Sequence, residues 1–300
     1  MKRGMRRLLG ALVIFVVVIG AAAVQWLDAG ATVLKIVKTS SADHHWTPDK
    51  PLFVLLLGHD IRPGAGCGCT DSIHIVGIPA GGGQATFLNI PRDTRVNIPG
   101  VGNHRINEAW GRAKENKEQF AAQVIGGFVG VTIDYTIVIG FNDFPKLINE
   151  IGGVTVDVPE SMSDPNSGAF FNKGLVAMNG DQALAFSRDR HLGGGDFTRS
   201  ANQTRLILAV LAKLRGAGTA PLEQLKYLAV LARHSILNGI GTRDLYRLGR
   251  LALSIDPASV RSMTMPGTGA VIGGGAFVVP TADAPGVFAD FADDAILQTH

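Results

Sequence analysis

Residues 52–60 read Leu-Phe-Val-Leu-Leu-Leu-Gly-His-Asp. The apolar run from Leu52 to Leu57 is unbroken and stops at Gly58. A short continuous run bounded by a glycine predicts a strand buried on both faces. The polar residues just beyond it, His59 and Asp60, are then expected at an edge of the sheet. Further along, Ser72–Ile78 and Ala85–Ile90 read as two more strands, separated by Pro79 and Gly81-Gly82-Gly83, which makes them a hairpin. Tyr135–Ile139 and Val154–Val158 are strands as well, the second ended by Pro159.

Helical spacing predicts helices over Ile106–Arg112, Glu118–Phe128 and Asn142–Ile151, the last closed by Gly152-Gly153 as a C-cap. Residues 160–176 are expected to form a long surface loop, and 187–195 to be irregular after a short helix at Asp181–Phe186. Thr198–Arg215 is an amphipathic helix with Ile207, Leu208, Leu211 and Leu214 on one face. Helices at Leu222–Ile236 and Arg243–Ile255 precede strands near Val260–Met265 and Ala276–Val279, and a last helix covers Pro285–Leu297. Strands interspersed with helices imply an α/β fold in which helices layer a mixed sheet. No break in composition divides it.

The N-terminus sets the compartment. Lys2, Arg3, Arg6 and Arg7 precede Leu8–Leu27, a run of 20 residues in which only Gln25 is strongly polar. That is the length of one transmembrane helix, and the basic cluster ahead of it orients the remainder outward. A cleaved signal peptide is the competing reading, since Ala21-Ala22-Ala23 offers a cleavage point, but the run is longer than a typical signal core. The expected organisation is a cytoplasmic basic tail (1–7), a transmembrane helix (8–27), a linker (28–50) and an extracytoplasmic domain (51–300).

Lys and Arg number 28 against 25 Asp and Glu, and four of the basic residues precede residue 8, leaving 24 against 25 for the rest. A nucleic-acid-binding domain normally carries a basic surplus, so that class is disfavoured. Only two cysteines are present, Cys67 and Cys69; they pair as a strained disulfide or stay free, and no disulfide framework staples the fold. They are too few for a structural zinc site.

Chemistry concentrates in three clusters. In Gly58-His59-Asp60-Ile61-Arg62 and Thr70-Asp71-Ser72, two carboxylates flank neighbouring strands. Asp60 and Asp71 suit Mg²⁺ or Mn²⁺, which take one or two carboxylates and complete their shell with phosphate oxygens; turn-capping aspartates are the alternative. In Pro91-Arg92-Asp93-Thr94, Arg92 can present its fork to a phosphate with Asp93 bracing it, or the two form an ordinary surface pair. The third cluster is Arg188-Asp189-Arg190, Asp196, Arg199 and Gln203. Arg188 and Arg190 share a face only in extended chain, whereas Arg199 and Gln203 share one on a helix. Asp196 and Thr198 are both N-cap candidates, which places Arg199 in a first turn where anions are favoured.

Taken together these motifs resemble the LytR–CpsA–Psr family of bacterial cell-wall enzymes. The resemblance rests on Leu55–Arg62, Thr70-Asp71-Ser72-Ile73, Asn89–Thr94, Arg105–Ala109, Ile151–Val154, and Arg188-x-Arg190 with Asp196-Phe197-x-Arg199-x-x-x-Gln203. It implies an α/β/α fold with an apolar pocket for a lipid tail. It also implies a phosphotransferase that moves a glycopolymer from a polyprenyl-pyrophosphate carrier to peptidoglycan at the membrane. Carried over by position, Asp60 and Asp71 hold Mg²⁺, and Arg92, Arg188, Arg190 and Arg199 bind the pyrophosphate with Gln203. Asp93 and Asp196 orient the arginines, or one of them deprotonates the acceptor hydroxyl.

Two positions depart from the pattern: Cys69 and Asn202 stand where the family often has arginine, with Arg62 and Arg205 as candidates to compensate. Two rival readings follow from the same site, a pyrophosphatase acting on the carrier lipid and a non-catalytic lipid-glycan-binding or regulatory protein.

Overall fold

The apolar run at 52–57 belongs to the central strand of a seven-stranded mixed sheet in the computed structural model of the chain. The structure describes residues 34–40, 47, 49–59, 68–141, 144–190, 192–216, 226–227, 230–231 and 234–298. The sheet's strands are β1 (Leu34–Lys38), β2 (Leu52–His59), β3 (Thr70–Ile78), β4 (Thr86–Asn89), β7 (Tyr135–Gly140), β12 (Ser235–Asn238) and β13 (Arg261–Thr264). Their spatial order is β12-β1-β7-β2-β3-β4-β13. β2 runs parallel to β7 and antiparallel to β3, and β3 pairs antiparallel with β4 as the expected hairpin.

Helices α1 (Glu108–Arg112), α2 (Lys117–Val129), α3 (Phe144–Glu150), α4 (Gly180–Arg188), α5 (Asp196–Gly216), α6 (Thr242–Ser254) and α7 (Ala284–Asp294) complete the layers. Four two-stranded ladders are added: β5 (Arg95–Ile98) with β6 (Gly102–Arg105), β8 (Val154–Val158) with β11 (Gly174–Met178), β9 (Met162–Asp164) with β10 (Ala169–Phe171), and β14 (Gly267–Ile272) with β15 (Gly275–Pro280).

The continuity of the 52–57 run has a simple cause: alternate residues serve two cores. Phe53, Leu55 and Leu57 join Ile73 and Ile75 against Ala121 and Ile125 of α2 and Phe291 of α7. Leu52 and Val54 join Val76 and Ile78 on the other face, where Ile207, Leu208 and Leu211 of α5 and Leu251 of α6 pack. Leu52, Leu55 and Leu57 are fully buried, each contributing roughly 2 kcal/mol of transfer free energy. A third cluster fills the space between α3, α4 and β8–β10, with Ile148, Val156, Phe171 and Phe186 at its centre. Gly152 and Gly153 close α3 with positive φ angles of 76° and 73°. Their amides donate to Asn149 O and Ile148 O, the two-bond helix stop that the glycine pair predicts.

Three expectations need correction, and one strand was not expected. The stretch 28–50 is not all linker, because β1 lies within it and is hydrogen-bonded between β7 and β12; both partners are remote in sequence, so no local pattern announced it. Residues 160–176 are not a loop but contain β9, β10 and the start of β11, strands too short to show a period. The helix expected to reach Ile236 gives way to β12, whose pairing with β1 overrides its helical spacing. β14, missing from the sequence reading, pairs with β15 through a turn at Gly273-Gly274. No helix among the described residues is long and apolar enough to cross a membrane; the expected membrane span at 8–27 lies outside those residues, as does Asp60.

Candidate active site

Three loops, each braced by its own hydrogen bonds, bring the charged residues together. After β4, the Pro91–Thr94 turn is closed by Thr94 N and Oγ1, which donate to Pro91 O at 3.0 and 2.6 Å. The Asn107 amide donates to Arg92 O at 3.2 Å and the Val278 amide to Asp93 O at 2.9 Å, so the backbone under both side chains is pinned. Helix α4 opens with a capping box: Asn179 Oδ1 accepts from Gln182 N at 2.9 Å and Gln182 Oε1 from Asn179 N at 3.0 Å. It ends at Arg188, and Asp189 is extended with ψ 133°. This extended residue lets Arg188 and Arg190 reach one cavity. Gly194 and Gly195, both at positive φ, lead into α5, where the Arg199 amide donates to Gly195 O at 3.0 Å.

The side chains form a connected ion-pair network. Arg92 Nη1 makes a short contact with Asp71 Oδ1. Arg92 Nε lies 3.5 Å from Asp196 Oδ2 and 3.7 Å from Asp93 Oδ2. Asp196 Oδ1 also faces Arg199 Nη1 at 3.2 Å and Arg190 Nε at 3.6 Å. Arg105 Nε stands 3.3 Å from Asp93 Oδ1. Asp196 thus gathers three guanidinium groups and Asp93 two. Arg199 Nη2 reaches back to donate to Asp71 O at 3.3 Å.

A cavity of about 550 Å³ is lined by Asp71, Arg92, Arg188, Arg190, Arg199 and Gln203, together with Phe141, Ser187, Asp164, Asn166 and Ser167. The Arg188 guanidinium sits over the Phe141 ring, 5.5 Å from its centroid. A second cavity of about 210 Å³ is walled chiefly by Leu34, Leu56, Leu57, Ile139, Phe144, Leu147, Leu206, Ile207 and Val210. The two share Phe141, Ser187 and Gln203. At the apolar cavity, Ser72 Oγ and His74 Nε2 are 2.7 Å apart, and His74 Nδ1 lies 2.7 Å from Asn89 Oδ1, which also accepts from Thr204 Oγ1 at 2.9 Å. Since Asn89 Oδ1 can only accept, neutral His74 carries its proton on Nδ1 and accepts the Ser72 hydroxyl on Nε2.

Burial pushes the Arg199 guanidinium down to about 10; Asp196 opposes the shift, while Arg190 and Arg92 reinforce it. Asp93 is raised, first by burial and also by Asp196, against Arg92 and Arg105. Among the described residues the buried Nε atoms of Arg92 and Arg199 have no hydrogen-bond partner. A wall of guanidinium groups is suited to an oxyanion, which accepts from their planar forks.

The structure therefore unites Asp71, Arg92, Arg188, Arg190, Arg199 and Gln203 around one cavity. Asp93 and Asp196 are not among its lining residues; both pair with Arg92, Asp93 also with Arg105, and Asp196 also with Arg190 and Arg199. Arg205 does not reach the cavity either; it is exposed and donates to Asn202 Oδ1 at 3.1 Å. Cys69 is disulfide-bonded. Sequence reasoning missed the His74–Asn89–Thr204 network, whose members are scattered in sequence and individually unremarkable. It also missed Phe141 and the Asp164–Ser167 turn, which only the tertiary fold brings to the site.

A model of the LytR_cpsA_psr family matches residues 24–288. The chain belongs to that family. Among curated LytR_cpsA_psr relatives, the polyisoprenyl-teichoic acid–peptidoglycan teichoic acid transferase TagV of Bacillus subtilis is 30% identical over 225 residues, 70% of this chain and 56% of TagV. The chain spans about half the length of the curated relatives it matches. The LytR-Csp2A-Psr enzyme from Actinomyces oris superposes with a TM-score of 0.65 at 22% identity, covering 88% of this chain and 94% of that one. TagT with bound octaprenyl pyrophosphate superposes with a TM-score of 0.62 at 20% identity, covering 84% and 92%. The mixed sheet layered by helices is thus the architecture of solved members of the LytR_cpsA_psr family.

Proposed function

We propose that this chain is a membrane-anchored phosphotransferase that moves a glycopolymer from a polyprenyl-pyrophosphate carrier to peptidoglycan through a phosphodiester. One observation carries the reading: an arginine-lined cavity and an apolar cavity share Phe141, Ser187 and Gln203. A ligand lying across both needs an anionic head joined to a hydrocarbon. TagT binds such a molecule, octaprenyl pyrophosphate, and TagV is named for transfer of teichoic acid to peptidoglycan.

Phosphoryl transfer depends on alignment and charge neutralisation more than on covalent help. Arg92, Arg188, Arg190 and Arg199 hold the pyrophosphate oxygens, and Gln203 adds a donor where head meets tail. Asp196 and Asp93 keep the guanidinium groups aimed. The acceptor hydroxyl attacks the phosphorus that bears the glycan, and its proton passes to a carboxylate or water. The bond to the bridging oxygen breaks, and polyprenyl phosphate leaves with the electron pair. No nucleotide is consumed, because the carrier's own anhydride bond drives the transfer.

Asp71 offers a hard carboxylate oxygen on the cavity wall, and with Asp60 it would hold Mg²⁺, or Mn²⁺. Among the described residues no group of three or more His, Cys, Asp or Glu is gathered for a metal. One or two carboxylates with phosphate oxygens are a normal Mg²⁺ environment, so the donor chemistry fits. When bound, the ion would neutralise charge on the departing phosphate.

The test uses the full chain in lipid nanodiscs, a glycosylated octaprenyl pyrophosphate and peptidoglycan fragments, with and without Mg²⁺. Phosphodiester-linked product that is lost in Arg92→Ala, Arg190→Ala and Asp71→Ala supports the transferase. Octaprenyl phosphate released without linkage would make the chain a pyrophosphatase, and tight binding without turnover would make it a binding protein.

A further inference from the structure

Two large apolar side chains point into solvent on neighbouring strands. Phe170 of β10 is 60% exposed and Leu175 of β11 is 78% exposed, and the exposed Lys173 lies between them in the chain. Strand alternation puts these positions outward, since Phe171 and Met178 on the same strands turn inward and are buried. It does not account for Phe and Leu filling them, a choice that gains nothing in water. Apolar groups that cluster on a surface mark a contact.

The path of the chain identifies the partner. β1 begins at Leu34, seven residues beyond Leu27, where the expected membrane span ends. Seven residues reach at most about 25 Å, so the Leu34 end of β1 is held near the bilayer. Register tells which end of the domain this is. Leu34 pairs with Ile139, Ile139 with Gly58, and Gly58 with Ser72. That row crosses three strand spacings, about 14 Å, and ends next to Asp71 on the arginine cavity. The domain therefore hangs by the sheet edge that carries the site, and the edge at Leu52 and Ile78 points away. Leu34 also packs against the cluster that contains Phe171, and the β9–β10 turn borders the arginine cavity. Connector, cavity and exposed side chains share one end of the molecule.

We propose that this end docks on the bilayer surface, with Phe170 and Leu175 inserted at the headgroup boundary and Lys173 against anionic phosphates. The proposal rests on the membrane-anchored reading. Aromatic and aliphatic side chains gain from burial at the acyl boundary, and a lysine from anionic lipid. A peptidoglycan strand, polar and rich in hydroxyls, gives Phe170 and Leu175 no such gain. Docking holds the arginine cavity at the level where a lipid carrier presents its phosphates.

The test places a nitroxide on the full chain in anionic nanodiscs at Phe170→Cys, Leu175→Cys or Ala80→Cys, the last exposed just beyond Ile78 at the far edge. Cys69 is disulfide-bonded, so the label reacts at the introduced thiol. Collisions with a water-soluble nickel chelate are expected to be about tenfold rarer at positions 170 and 175 than at 80, the excess of docked over free domain that partial burial of two such side chains supports. Lys173→Glu is expected to raise collisions at both positions about fivefold or more, by removing an attraction to anionic lipid and adding a repulsion. All four substituted residues are exposed, so the fold is not at stake. Equal collisions at all three labels would overturn the proposal, as would indifference to Lys173→Glu. Protection that arises only when peptidoglycan fragments are added would overturn it too, by giving this face to the acceptor. A wild-type chain that does not stay with the nanodiscs on gel filtration would remove the anchor reading itself, and the proposal with it.

Discussion

Asp196 Oδ1 lies 3.2 Å from Nη1 of Arg199, three residues further along α5, and the Arg199 side chain is only 4% exposed. The pair joins a buried cation to the carboxylate that also pairs with Arg92 and Arg190. Taking away the carboxylate leaves the Arg199 cation buried without that compensation. Asp196→Asn is expected to cost about 3 kcal/mol of stability, read from urea denaturation. Arg199→Met should instead leave stability within about 1 kcal/mol, because Asp196 keeps Arg92 and Arg190 as partners while apolar volume replaces the buried cation. Transfer should fall by about a hundredfold or more through loss of an oxyanion donor. Equal destabilisation by both substitutions would argue against the brace.

Burial holds the His74 imidazole below its ordinary value of 6.5, outweighing the hydrogen bonds to Asn89 and Gln203 that raise it. The folded chain therefore keeps His74 neutral while the unfolded chain takes up a proton. This contribution to stability is complete above 6.5 and declines as pH falls from there toward the folded value, by up to about 1.4 kcal/mol per pH unit. Denaturation midpoints for wild type and His74→Gln should diverge in that window, with the variant showing the shallower acid loss. Parallel curves would contradict it.

A methyl group placed on Gly58 would meet Phe141 Cε1 and Ser72 Cβ, each at 2.8 Å. Phe141 borders both cavities and carries Arg188 over its ring. Gly58→Ala is expected to destabilise by about 1–3 kcal/mol and to weaken binding of octaprenyl pyrophosphate. Thermal unfolding and calorimetry would separate the two effects. Unchanged binding in a folded variant would show that the ring does not define the junction.

Val210 lines the apolar cavity of about 210 Å³. Val210→Phe adds an aromatic ring to that space. It should weaken binding of octaprenyl pyrophosphate by about tenfold or more, through lost burial of hydrocarbon. Inorganic pyrophosphate, which needs only the arginines, should bind as before. If both weaken together, the apolar cavity is not where the hydrocarbon lies.

The parts of this molecule that could be read in its sequence are those with a local cause. The double-sided burial of β2 shows in an unbroken apolar run, the end of α3 in a glycine pair, and the shared face of Arg199 and Gln203 in a spacing of four. Arg188 and Arg190 were conditional on an extended residue between them, and Asp189 provides it. What stayed hidden depends on partners far along the chain. β1 and β12 pair with each other across nearly 200 intervening residues, and neither has a pattern of its own. His74, Asn89 and Thr204 come from two strands and a helix. Asp93 and Asp196 could be named as members of the site, but whether they face the cavity or stand behind the arginines depends on side-chain direction.

The place of β1 inside the sheet bears on where the protein can be cut. A fragment beginning after Lys38 would not be a trimmed domain but a sheet with a gap. The backbone of Tyr135–Ile139 would be left as an open edge, and Ser235–Asn238 would lose the strand it lies against. Open edges recruit other chains, so such a fragment is expected to aggregate, whereas one that starts ahead of Leu34 keeps β7 and β12 paired to β1.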